Sequence, residues 1–164
     1  MTTIELNKRI RFWTVLFGVM LLLSGLTAFP LETELRILAQ SSHRMPQEIA
    51  NWITRVFYAV RETNFNYPFL SYGTDWLAFA HICISISLYG VYHDPVRNRW
   101  IIDWLMICCL LVIPLAFFAG PVREIPWFHQ LIDCSFGLFG LVPLIIIRKY
   151  IQKLENQTSN IHNQ

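Results

Sequence analysis

Between Phe12 and Phe29 the chain reads FWTVLFGVMLLLSGLTAF without one charged side chain. Three further stretches of similar length and apolarity follow, Gly73–Tyr92, Trp100–Gly120 and Pro126–Ile147. A helix rises about 1.5 Å per residue, so about 20 apolar residues cross a hydrocarbon core of about 30 Å. Each stretch is long enough to cross once and none is long enough to cross twice. In lipid every backbone N–H and C=O has to be paired internally, which a helix does within a single segment. The sequence therefore predicts an all-α fold: an integral membrane four-helix bundle, read as one domain over residues 1–164. Composition agrees. At 54% hydrophobic and 15% charged residues, the chain is the opposite of a disordered one. A formal charge of +2 with no dense basic stripe excludes nucleic acid as a partner.

Basic residues in the flanks orient the spans. Lys8, Arg9, Arg11, Arg97, Arg99, Arg148, Lys149 and Lys153 fall on one side, and Arg36, Arg44, Arg55, Arg61 and Arg123 on the other. Eight against five places both termini on the cytoplasmic side of a cytoplasmic (inner) membrane, and the polar tail 152–164 with them. Trp13, Trp76, Trp100, Trp104 and Trp127 sit near span ends, where amphipathic rings favour the interface. The first span reads as an uncleaved anchor, because its eighteen-residue run exceeds the 7–15 residues of a signal-peptide core and no A-x-A site follows.

The connection between spans one and two is long and patterned. Ile49, Trp52, Ile53, Val56, Phe57 and Val60 recur at helical spacing and predict an amphipathic helix over 46–63, started by Pro46 with Glu48 in its first turn. Leu31–Ala39 has room for a further short helix, joined to it through Ser41–Met45. The tail beyond Gln152 is polar and reads as frayed.

Ionisable residues inside a bilayer are costly and are functional candidates by default. By helical rise Asp75 lies about 3 Å from the outer end of its span, His81 about 12 Å, His129 about 4–5 Å and Asp133 about 10–11 Å. The matching depths predict a polar cluster of Asp75, His81, His129 and Asp133 in the outer half of spans two and four. Such a cluster can hold helices together through hydrogen bonds or handle protons. The depths of His81 and His129 differ too much for a haem plane, and neither a cofactor nor a metal is expected. At the inner loop Arg97 and Arg99 are read as anchors, pairing with Asp94 or Asp103 or meeting anionic lipid head groups. Glu32, Glu34 and Arg36 read as solvated.

Cys83, Cys108, Cys109 and Cys134 all fall within spans and form no C-x-x-C, so paired-thiol chemistry is not indicated. Cys134, Gly137 and Gly140 make a small face on span four that suits close helix approach, within the bundle or against a partner. The functional expectation is a non-catalytic bundle that binds lipid or a membrane-protein partner, as an accessory subunit or a homo-oligomer. The alternative is a small intramembrane enzyme or proton-coupled carrier using the Asp/His cluster.

Overall fold

The computed structural model describes residues 2–162, with side chains as far as Thr158. Every element in them is helical: α1 (Thr3–Ala28), α2 (Leu31–Gln40), a single 3-10 turn (Ser42–Arg44), α3 (Gln47–Asn66), α4 (Pro68–His93), α5 (Arg99–Val122) and α6 (Trp127–His162). Four of them, α1, α4, α5 and α6, are long and apolar enough to cross a membrane.

The helix ends follow from local chemistry. Pro46 stands outside α3 as its N-cap, with φ −53° and ψ 142°, and Glu48 occupies the first turn, where a carboxylate meets the positive helix end. Tyr67 breaks α3 because it precedes a proline, and Pro68 opens α4, where its missing N–H costs nothing. Asp94–Pro95 stops α4. Beyond it, the Asn98 side-chain amide donates to the carbonyls of Gly90 (3.0 Å) and Asp94 (2.9 Å). That satisfies carbonyls which a helix C-terminus leaves unpaired. Gly90 leaves room for this approach, since a Cβ there would lie a tight 3.2 Å from the Asn98 side chain. At the end of α5 the Ile125 N–H reaches back to Gly120 (2.9 Å) and the Glu124 N–H to Pro121 (3.2 Å). This is a Schellman closure, with Glu124 in the left-handed region at φ 56°.

Two helix ends differ clearly from the sequence reading. α1 begins nine residues before Phe12, because Leu6 and Ile10 extend a buried stripe through Thr14 to Phe17. α6 does not fray at Gln152 but continues to His162. Leu144, Ile147, Ile151 and Leu154 are buried at steps of three and four, so packing carries this helix through its polar stretch. Asn163 and Gln164, the last residues of the expected tail, lie outside the described residues. The helices also run on through Pro114, Pro121 and Pro143.

The chain divides into two compact units, Met20–Ser85 and the remainder; α1 and α4 contribute to both. In the remainder α5 packs on α6. Its core holds the two stripes just named with Leu88, Val91, Ile101, Ile102 and Leu105. The small face of α6 is used inside this unit. A Cβ on Gly137 would stand 2.5 Å from the Cys109 carbonyl oxygen, and one on Gly140 would stand 3.1 Å from Cys109 Sγ. Thr14 is buried at 2% exposure, and its hydroxyl has no hydrogen-bond partner among the described residues.

In Met20–Ser85, α2 packs on α3. Phe57 is buried and Ile49, Trp52, Ile53, Val56 and Val60 are half-buried, while Gln47, Asn51 and Arg55 are exposed. Gly25 of α1 approaches α4 closely, its missing Cβ falling 2.8 Å from the Ala78 carbonyl oxygen.

Candidate functional site

Asp75 and His81 belong to Met20–Ser85, whereas His129 and Asp133 belong to the other unit. Each pair is described in its own surroundings.

Within Met20–Ser85 a chain of neutral and acidic groups joins three helices. Asn64 of α3 donates from Nδ2 to Glu32 Oε2 of α2 at 2.7 Å. Ser71 of α4 donates its hydroxyl to Asn64 Oδ1. Glu32 is thus half-buried and hydrogen-bonded, not solvated as the sequence suggested. A carboxylate that accepts from an amide is held by a charge-assisted bond, stronger than a neutral one. Two cavities meet at this chain, and Glu32 and Asn64 line both. One, of about 210 Å³, is walled by Pro30, Val60, Thr74 and Asp75. The other, of about 630 Å³, opens past Tyr58, Arg61, Glu62 and Phe65. Of the candidates, Asp75 lines the smaller of these two cavities. His81 is half-buried, with Nδ1 2.8 Å from the Leu77 carbonyl of its own helix. A carbonyl only accepts, so this bond puts a proton on Nδ1.

In the other unit His129 Nε2 stands 3.9 Å from Asp133 Oδ1, one helical turn away, and the two side chains are 41% and 42% exposed. That is an open i, i+4 contact, an ion pair only when the imidazole carries a second proton.

The strongest charge pairing lies at the basic end of the same unit. Arg148 Nε of α6 reaches Asp103 Oδ1 of α5 at 2.5 Å. Arg99 stands 3.6 Å from Asp103 Oδ2 and grips both oxygens of Glu155 at 3.1 Å. Of the two arginines expected as anchors, Arg99 is therefore tied to Asp103 and Glu155. Arg97 donates its backbone N–H to Asp94 Oδ1 at 3.0 Å and closes the turn. Nearby, Arg9 donates to the Tyr150 hydroxyl at 3.1 Å. Arg11 lies 5.0 Å from the Tyr92 ring centre, with Nε donating to the Tyr92 carbonyl at 3.3 Å.

Sequence reasoning missed Glu32, Asn64, Ser71 and Glu155. The spacing of Asn64 and Ser71 across a Tyr-Pro helix break is the one local signal that brings two of them together. No group of three or more His, Cys, Asp or Glu side chains with metal-ligand geometry occurs among the described residues. Comparison with protein-family models, curated proteins and solved structures finds no match.

Proposed function

We propose that this chain is a multi-pass four-helix protein of a cytoplasmic membrane, with both termini in the cytoplasm, that acts by binding without turnover. In this reading it is an accessory subunit whose Met20–Ser85 unit, carrying an amphipathic α3, offers its face to a membrane-protein partner. The observation that carries the reading is the Glu32–Asn64–Ser71 chain set between two cavities. The wider cavity has Tyr58 and Phe65 on its rim, 59% and 86% exposed. Aromatic residues beside a few fixed polar groups are typical of protein interfaces, where they supply most of the binding energy. Exposed Tyr67, Tyr72 and Trp76 at the start of α4, and Trp100 and Trp127 at the starts of α5 and α6, support the membrane reading as an interfacial belt.

A photoreactive residue in place of Tyr58 tests this in intact membranes. It should yield one adduct of fixed mass, lost with Asn64→Leu, whereas the same probe at Phe118 should yield none. Failure at position 58, or equal adducts at both positions, would remove the reading. Reporter fusions after Arg44, Asn98, Arg123 and Tyr150 should read outside, inside, outside and inside; a fusion at Asn98 that reads outside reverses the orientation.

The second reading is acid–base or proton-coupled work by Asp75, His81, His129 and Asp133. The approach of His129 Nε2 to 3.9 Å from Asp133 Oδ1 favours it. A growth defect in Asp133→Asn with the Tyr58 adduct intact would promote it over the first.

A further inference from the structure

The basic end of the larger unit treats its cations in two ways. Arg99 and Arg148 are neutralised by Asp103 and Glu155. Lys8 and Arg11 of α1 pair with no carboxylate among the described residues. These two cations head an apolar groove of about 460 Å³, lined along α1 by Phe12, Val15, Leu16 and Val19 and flanked by Tyr92. The lining positions recur at steps of one, three and four, so they share one face of the helix. From Lys8 to Val19 the groove runs about 16 Å along α1, close to the roughly 15 Å that one leaflet contributes to the hydrocarbon core. Its wall side chains are left uncovered: Phe12 is 63% exposed and Val15 49%. Arg11 is already held in place. Its Nε is bonded to the Tyr92 carbonyl and its plane lies near the Tyr92 ring, so little side-chain freedom remains to be lost when an anion binds. A guanidinium also matches the geometry of phosphate oxygens.

We propose that this groove is a binding site for one anionic glycerophospholipid, its phosphate between Lys8 and Arg11 and one acyl chain along Phe12 to Val19. Charge complementarity selects the occupant. Two unneutralised cations at the mouth of an apolar channel favour a net negative head group over a zwitterionic one, and the channel gives a free anion nothing to fill it with. The site rests on the reading of α1 as a membrane span and is independent of the partner proposed for Met20–Ser85.

The full chain, purified in detergent and mixed with equal amounts of phosphatidylglycerol and phosphatidylcholine, is to be weighed intact by native mass spectrometry. One phosphatidylglycerol should be retained with a preference on the order of ten-fold. The double variant Lys8→Gln/Arg11→Gln should bring the preference to parity, and Val15→Trp should lower retention of both lipids. The double variant Lys149→Gln/Lys153→Gln removes the same charge from α6 and should leave the preference intact. Matching thermal transitions establish that the variants fold. An unchanged preference in Lys8→Gln/Arg11→Gln overturns the site, as does an equal loss in the α6 control, which would mean general surface charge. Displacement of the lipid by inorganic phosphate would also overturn it, in favour of a plain anion site. Release of the protein from membranes by alkaline carbonate would instead remove the span reading on which the site depends.

Discussion

Met20–Ser85 and the rest of the chain use their residues differently. Among the buried apolar side chains of the described residues, Phe57 and Ala78 belong to Met20–Ser85 and the others to the larger unit. The larger unit also holds the arginine–carboxylate pairs and the glycine–cysteine approach of α5 and α6. Met20–Ser85 instead spends its polar groups on a hydrogen-bond chain beside open space. One region is fixed by close packing and charge, while the other keeps room that a second molecule can fill. Regions with few buried contacts are the ones from which binding surfaces are drawn.

The sharpest way to break this contrast is through two glycines. Gly137→Val puts side-chain carbon into the Cys109 backbone and should cost about 3 kcal/mol, read as a lost thermal transition in detergent. Gly73 meets nothing within 4 Å, so Gly73→Ala should be neutral or gain up to about 1 kcal/mol. Similar losses at both would mean the two units are equally tight.

Next come two isoleucines. Ile102→Ala removes a fully buried side chain and should cost about 2–3 kcal/mol, against about 1 kcal/mol for half-buried Ile53→Ala. Equal unfolding midpoints would dissolve the distinction in packing.

Charge gives a smaller difference. Asp103 is two-fifths exposed, so screening limits Asp103→Asn to a loss of about 1 kcal/mol. A double-mutant cycle with Arg148→Leu should show the coupling, and added salt should weaken it. Glu32→Gln keeps an acceptor for Asn64 and should cost about 0.5 kcal/mol. A larger effect at Glu32 than at Asp103 would move the electrostatic centre into Met20–Ser85.

A further small effect is expected to be a gain. Thr14→Val removes an unpartnered buried hydroxyl and should raise stability by about 0.5–1 kcal/mol. A loss would reveal that the hydroxyl has a role in this core.

Helices were legible wherever one face or a whole segment is apolar, because the period is local information. The stripe Ile49, Trp52, Ile53, Val56, Phe57 and Val60 could be read this way, and so could the four long apolar helices. The extension of α6 was legible in principle: Leu144, Ile147, Ile151 and Leu154 keep helical spacing through a polar stretch that an apolarity criterion cuts short. The partner of Glu32 was not legible. A carboxylate in a first helical turn looks solvated until α3 returns and brings Asn64 against it, 32 residues later. Glu155 was hidden in the same way, 56 residues from Arg99. For the polar residues themselves, depth along a helix can be counted, but the direction each side chain faces is set by packing between helices. His81 shows this, its ring turned back to the carbonyl of Leu77.

The bond between Asp103 and Arg148 has a consequence for how the chain is made. The two residues are 45 apart, and the closed turn at Glu124 leaves almost no slack between α5 and α6. Asp103 has one countercharge within its own helix, Arg99 at 3.6 Å, and gains Arg148 only once α6 has been made and folds back against α5. Asp103 is thus an acid shared by two arginines, one reached locally and one only through the closed hairpin, so the bond to Arg148 reports whether α5 and α6 have met.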